Sequence, residues 1–279
     1  MRTWVTLALR NLFRNRRRSL FTILAIGLGF AAVNILGGFT EYIFTNLRDS
    51  YIYLHANGHL TIFKAGFLQD GKLNPTRYLL DETEVSAIQE TLRRHPEVLV
   101  ATPQLNISGL LSNGKVSTIF IAAGRVPSDV RNINSQARGM IARLQQFKGK
   151  PLQDDVVYGV GLSEGLAEQF KFDLGSNPVA MSSTISGQVN ALDAQVFQLF
   201  HSPNEALEDK LMIVPLKFAQ ALYDTTSIDR IVVLLDRTEL AEPMRAELVQ
   251  DFAGRGLQVE IKTFRRCRGG CVNEHSVDA

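Results

Sequence analysis

Cysteine is nearly absent: Cys267 and Cys271, both within the last thirteen of 279 residues, are the only two. No disulfide framework can hold the body of the chain, so a packed core must do so. No G-x-x-x-x-G-K-[ST] loop occurs, which excludes ATP binding and hydrolysis by that route. After residue 40 no stretch is both apolar and long enough to cross a bilayer. The most apolar one, residues 231–235, lies between Arg230 and Asp236 and suits a buried strand. Acids are missing from the first forty residues, and charge of either sign is missing from residues 19–40.

The uncharged stretch of 22 positions reaches about 33 Å as a helix, enough for a hydrocarbon core of about 30 Å. Arg2, Arg10, Arg14, Arg16, Arg17 and Arg18 precede it. Clustered arginine stays on the cytoplasmic side, so the pattern predicts a transmembrane helix over residues 19–40 with the N-terminus inside and the rest outside. A cleaved signal peptide would have a shorter apolar run and an A-x-A site, and Gly37-Gly38-Phe39-Thr40-Glu41-Tyr42 offers none. Within residues 1–18, Trp4, Val5, Ala8, Leu9, Leu12 and Phe13 recur at helical spacing opposite Arg10, Arg14 and Arg17, as in a cytoplasmic interfacial helix. Inside the span, Ala25 with Gly29 and Gly27 with Ala31 form small-xxx-small pairs that let another helix approach closely.

Past residue 40 the chain has 24 basic and 28 acidic residues, a formal charge of −4, which argues against a nucleic-acid partner. About 240 residues suffice for a substantial core. The pattern predicts that the helix continues outward over 41–53, with a strand at 58–63. A helix over 81–95 is capped by Asp81 with Glu84 at the box position and stopped by Pro96. Strands 105–111 and 116–123 flank Asn113-Gly114, a pair suited to positive backbone angles. Further elements are a strand at 156–160, a helix at 162–170, strands with turns across 175–200, a helix at 216–223, a strand at 228–235, a helix at 239–253 and a strand at 257–261. Interleaved strands and helices make the outside part α+β, a mixed α/β domain.

Gly161-Leu162-Ser163-Glu164-Gly165 is a G-x-S-x-G between a predicted strand and helix, the context of a nucleophile elbow. Its acid and histidine would be Asp193 with His201 or His275, but Asp193 and His201 read as one strand, and glycines also serve simply to turn a strand into a helix. Gly159, Gly161 and Gly165 are one residue too widely spaced for a dinucleotide site. His55 and His59 lack a completing carboxylate or cysteine and read as solvated loop histidines. Cys267, Cys271 and His275 supply only three ligands. No catalytic residue, cofactor or metal ligand is assigned.

The run Ala8-Leu9-Arg10-Asn11-Leu12-Phe13-Arg14-Asn15-Arg16-Arg17-Arg18-Ser19-Leu20 resembles the start of FtsX/MacB-type permeases of ATP-binding-cassette systems. The following residues are similar to that family's MacB-like periplasmic core. The resemblance rests on Gly58 to Phe63, on Gly124-Arg125-Val126-Pro127 near the family's G-V-D-P, on the G-x-G-L-x-x-x-L-A pattern within 156–175, and on Pro215-Leu216 through Leu235. It spans residues 1–263, with the core domain at 41–263. It implies a permease subunit and not an enzyme. Such a subunit works with a cytoplasmic ABC ATPase and a second permease subunit, as homo- or heterodimer, in the inner (plasma) membrane. It couples ATP hydrolysis to change in a domain that handles a lipoprotein, an amphipathic small molecule or a peptide, in lipoprotein release or export.

The family has four spans where this chain has one. Residues 264–279 shift composition abruptly and carry no apolar periodicity, so the expectation is an atypical, frameshifted or truncated tail on the N-terminal portion of a permease. The alternatives are a single-span membrane-anchored binding or sensor protein and a membrane-anchored serine hydrolase.

Overall fold

The computed structural model describes residues 16–71, 74–138, 147–202 and 204–263. The chain divides into two compact units, residues 1–48 and 49–279.

The described residues of the first unit lie in α1 (Arg16–Asp49), which has no buried residue. The polar side chains within its apolar stretch are folded back on the helix. Thr22, Asn34 and Thr40 each donate to the carbonyl four residues earlier, at 3.0, 2.7 and 2.8 Å. Together with the following turn, it is long and apolar enough to cross a membrane, with mean hydropathy 2.1. The helix is longer than the predicted span at both ends. Arg16, Arg17 and Arg18 form its first turn, and it runs on past Glu41 as the apolar positions there predict.

The second unit begins with π-helical Ser50–Leu54, followed by β1 (Leu60–Lys64) and the short helices α2 (Phe67–Asp70) and α3 (Pro75–Tyr78). Helix α4 (Glu82–Leu92) starts as the sequence predicts. Asp81 accepts from the Glu84 N–H at 2.8 Å, and the Glu84 carboxylate accepts from the Asp81 N–H at 3.0 Å, which satisfies two donors that a helix start leaves free. Strands β2 (Val98–Ser112) and β3 (Ser117–Arg125) form the predicted hairpin. Its turn differs in kind: only Gly114 has positive φ (+85°), and the Asn113 side chain accepts from the N–H groups of Lys115 and Val116 instead.

The chain continues through α5 (Pro127–Ser135), β4 (Lys148–Gly149), β5 (Gly159–Ser163), α6 (Glu164–Phe170), β6 (Val179–Ser183), β7 (Val189–Asp193) and β8 (Gln195–Phe200). It closes with β9 (Leu211–Pro215), α7 (Leu216–Tyr223), β10 (Arg230–Leu235), α8 (Ala241–Gly254) and β11 (Val259–Thr263). The strand expected at 156–160 lies three residues further on. Its residues are all buried, so it has no polar and apolar alternation from which its register could be read.

The described strands form one mixed sheet in the order β11-β1-β10-β2-β3-β9-β5-β8-β4, with β6 on β2 and β7 on β6. Pairs β3–β9 and β5–β8 are parallel. Strand β2 is shared: β10 pairs with it as far as Gln104, and β6 takes over from Leu110. In the gap, side chains replace the missing strand. Asp229 accepts from the Asn106 N–H, the Tyr223 hydroxyl accepts from the Ser108 N–H, and the Ser182 hydroxyl donates to the Ser108 carbonyl. Gly124 lets α7 approach, since a Cβ there would collide with Ala219 and lie 2.8 Å from the Leu105 carbonyl.

Alternation along each strand separates two cores. Ile231, Val233 and Leu235 of β10 face the main core with α4, α7 and α8 residues such as Ile88, Phe218 and Leu248. Leu234 faces the other way, into a small cluster with Ile52, Ala56 and Ile133.

Replacing Asp81 by alanine is expected to destabilise the domain by about 1 kcal/mol, the usual worth of an N-cap. Its bonds to Thr83 and Glu84 hold the Asp81 carboxyl below the usual carboxylate range. A depressed folded-state pKa contributes stability above the ordinary value near 4 and loses it as pH falls through the lowered one. Urea unfolding of wild type and D81A at neutral pH and near pH 2 should therefore show the difference at neutral pH and a smaller one in acid.

Candidate functional site

The segment that receives the end of the apolar helix is the best-defined special site. After α1 the backbone loosens into a π-turn: the His55 N–H bonds to the Ser50 carbonyl at 3.0 Å, and the Gly58 N–H reaches the Ile52 carbonyl at 3.2 Å. Ala56 then takes φ +48°, a left-handed conformation that an alanine adopts only where its surroundings impose it. Ala56 and Ile52 are fully buried in the small cluster with Ile133 of α5 and Leu234 of β10. A helix end leaves carbonyls without donors. Here the sheet supplies two: Arg125 Nη1 donates to the His55 carbonyl at 2.6 Å and Gln104 Nε2 to the Ala56 carbonyl at 3.3 Å.

Strand register explains how these groups meet. Phe63, Arg230, Gln104, Arg125 and Pro215 form one row across β1, β10, β2, β3 and β9. Side chains in one row share a face, which is the face of the small cluster. Burial and the neighbouring Arg230 push Arg125 down to about 10, so it stays charged at neutral pH. Burial, with Arg125 adding to it, holds the His55 imidazole below its ordinary value.

Farther along the same face the sheet is bare and apolar. Leu110 stands opposite Ile119, and Ile121 opposite Ser108, with Leu110 43 % and Ile119 56 % exposed. Met181 and Ala191 continue the Leu110 row across β6 and β7.

The other sequence candidates resolve differently. Ser163 is the last residue of β5, completely buried, with its hydroxyl 2.8 Å from the carbonyls of both Glu208 and Leu211. An elbow nucleophile must be exposed and beside a base, and this hydroxyl is neither; it ties β5 to the 208–211 loop. Asp193 and His201 do not share a strand: Asp193 ends β7 and His201 follows β8, with His201 Nε2 3.0 Å from Glu164. His59, expected in solvent, is 1 % exposed. Its Nδ1 accepts from the Leu235 N–H at 3.0 Å, so the proton sits on Nε2, 3.0 Å from the Thr238 hydroxyl. Among the described residues no group of three or more His, Cys, Asp or Glu could hold a metal ion.

Arg16, Arg17 and Arg18 open α1, whereas Trp4, Arg10 and Arg14, and the tail with Cys267, Cys271 and His275, lie outside the described residues. Ala25, Gly27, Gly29 and Ala31 are exposed on α1, and a Cβ built on Gly27 or Gly29 would meet nothing within 4 Å. Sequence reasoning missed Arg125 and Gln104, because their role depends on a row that joins five strands.

The MacB-like periplasmic core domain family matches residues 19–251. The periplasmic region of MacB from Actinobacillus actinomycetemcomitans shares the fold at TM-score 0.51 and 18 % identity, over 74 % of this chain and 88 % of that one. The extracellular domain of the noncanonic ABC-type transporter YknZ from Gram-positive bacteria aligns at TM-score 0.49 and 15 % identity, over 74 % of this chain and all (100 %) of that one. No curated protein sequence matches the chain.

Two outcomes follow from the buried Ser163 hydroxyl and the half-buried His55 imidazole. S163A should cost about 1–2 kcal/mol in urea unfolding, since it strips a donor from buried carbonyls, and the folded wild type should resist fluorophosphonate labelling. For His55 the folded-state pKa is lowered, so its stabilising neutral form is secure above about 6.5 and is lost as pH falls below it. Amide exchange in residues 50–56, corrected for intrinsic rate, should speed up between about pH 7.5 and pH 6 in the wild type and change little in H55Q.

Proposed function

The chain belongs to the MacB-like periplasmic core domain family, the extracytoplasmic domain of ABC-transporter permeases, and from that premise we propose that it is the N-terminal portion of an export-type permease subunit. Permeases of this kind work with a cytoplasmic ABC ATPase, which is a separate subunit and carries the ATP chemistry. The reading places α1 in the inner (plasma) membrane, with the arginines of residues 1–18 cytoplasmic and the domain from residue 41 outside. The observation that carries it is the continuity of an apolar helix, Arg16–Leu54, with a segment whose last residues are built into the domain's second core. Within the domain, movement imposed on residues 50–56 would reach the sheet through Ile52, Ala56 and the Arg125 and Gln104 bonds. The work delivered there serves lipoprotein release or export of an amphipathic molecule or peptide, and the bare face around Leu110, Ile119 and Ile121 is the surface on which such a client would be handled.

Pairing with a second permease subunit draws on α1. Gly27, Ala31, Asn34 and Gly38 fall within about 60° of one another around the helix at 100° per residue. Asn34 uses one amide N–H on Phe30 and keeps its other N–H and its carbonyl for a neighbouring helix.

Reporter fusions test the orientation: a periplasm-dependent enzyme fused after residue 263 should be active and a cytoplasm-dependent one inactive, with the reverse overturning it. Photo-crosslinkers at the exposed Leu110 and Ile119 should capture a client or a permease partner in native membranes. Failure of both positions to capture either would remove the client-handling role. N34V should weaken self-association in membranes by roughly threefold or more, as expected for an interhelical amide bond of about 0.6–2 kcal/mol.

A further inference from the structure

The Asn113-Gly114 pair that closes the β2–β3 hairpin occurs a second time in the chain, as Asn57-Gly58, and the fold treats the two in opposite ways. The side-chain amide of an asparagine is separated from the backbone nitrogen of the next residue only by its own Cβ, Cα and carbonyl carbon. The chain itself therefore holds the two groups together, and their union closes a succinimide ring. A following glycine puts no Cβ in the path of that approach.

At Asn57 the fold blocks the reaction. Gly58 is buried, its N–H is bound to the Ile52 carbonyl at 3.2 Å, and the Asn57 N–H reaches the Tyr51 carbonyl at 3.4 Å. A Cβ at Gly58 would stand 2.6 Å from the Val233 carbonyl oxygen, so the backbone there has no room to move. The Gly58 nitrogen cannot turn toward the side chain without breaking the turn that carries Ile52 and Ala56 into their core.

At Asn113 the same groups are exposed, and nothing lies within 4 Å of the place a Gly114 Cβ would take. The Gly114 N–H is held by the Ser112 hydroxyl at 3.1 Å, outside the strand ladder, which ends at Ser112 and Ser117. The Asn113 Oδ1 accepts from the N–H groups of Lys115 and Val116, both at 3.0 Å. Attack on Cγ puts negative charge on this oxygen, so the two donors that shape the turn also stand where an oxyanion is stabilised.

We propose that Asn113 is a site of spontaneous deamidation and that the fold protects Asn57 from the same reaction. The Gly114 nitrogen gives its proton to solvent and bonds to the Asn113 Cγ; the Cγ–Nδ2 bond breaks, and the amide nitrogen leaves as ammonia with a proton from water. One water molecule then opens the ring. Opening at Cγ leaves an aspartate, and opening at the backbone carbonyl carbon leaves the chain running through Cβ and Cγ as an isoaspartate. Either product lowers the formal net charge of +2 by one. The isoaspartate also lengthens the turn and converts the side-chain carbonyl that organises it into a main-chain group, which frees the Lys115 and Val116 N–H groups at the end of the hairpin that exposes Leu110 and Ile119. The site rests on the chemistry of the turn alone and is independent of the permease reading.

The experiment ages the full chain in detergent micelles at neutral and at mildly alkaline pH, with a parallel sample unfolded in urea. Trypsin releases the fragments His95–Lys115 and Asp49–Lys64, which carry the two pairs separately. Mass spectrometry reads the gain in mass from amide to acid, fragmentation assigns it to one asparagine, and an isoaspartyl methyltransferase detects the isoaspartate. In the folded chain Asn113 should convert about tenfold or more faster than Asn57, and faster still at alkaline pH; in urea the two rates should agree within about threefold. G114A should slow conversion at Asn113 by about tenfold or more, because a Cβ hinders the attack. Should G114A not fold, the two sites within the wild type decide the matter. A folded chain in which Asn113 stays an amide while the urea sample converts both, or in which Asn57 and Asn113 convert at equal rates, overturns the proposal.

Discussion

A helix end is a set of carbonyl groups without donors, and the root of this domain is organised around supplying them. The Ser50–Leu54 turn leads into Ala56, which is fully buried, so its carbonyl needs a partner from the protein. Arg125 and Gln104 reach it from adjacent positions of β3 and β2. That requirement explains why two long polar side chains occupy an otherwise apolar region of the sheet, why Ala56 is held at positive φ and why Ile52, Ile133 and Leu234 form a second core there. The two strands are therefore tied to residues 55 and 56 by groups that are costly to leave unpaired, a firmer connection than apolar contact alone, which is non-directional.

The sequence was most legible where structure is local. The Asp81 box at α4, the limits of α7 and the Asn113-Gly114 turn depend on neighbours within a few residues, and each stands close to its expected place. The apolar helix was legible because a chain rarely goes without charge over a bilayer's thickness unless lipid surrounds it. Legibility ended where partners are distant. Strand β5 is buried along its whole length and its glycines imitate a catalytic elbow, yet its serine answers to carbonyls 45 and 48 residues away. His59 looks like a loop histidine until Leu235, 176 positions later, presents its N–H. Arg125 falls in the stretch Gly124-Arg125-Val126-Pro127, which reads as a motif fragment, and only the assembled row shows what its charge faces.

The same row separates two kinds of surface on one face of the sheet. Toward the helix segment it is polar and closed, with Gln104, Arg125 and Arg230 in side-by-side register. Toward the hairpin it is apolar and open, with Leu110, Ile119 and Ile121 accessible. A domain that only needed stability would gain by covering the second region or making it polar, so its persistence is consistent with a surface kept for contact.

The division of β2 between two neighbours also bears on how the domain comes into being. Asp229 and Tyr223 close the gap in its edge from 123 and 115 positions downstream. A chain that emerges N-terminus first has its β2–β3 hairpin long before those groups arrive, and for that interval Asn106 and Ser108 present bare N–H groups to whatever strand comes near. The finished sheet protects this edge with side chains alone, so its vulnerable period is biosynthetic, and helpers that shield nascent chains would be needed most between the appearance of Ser112 and that of Leu235.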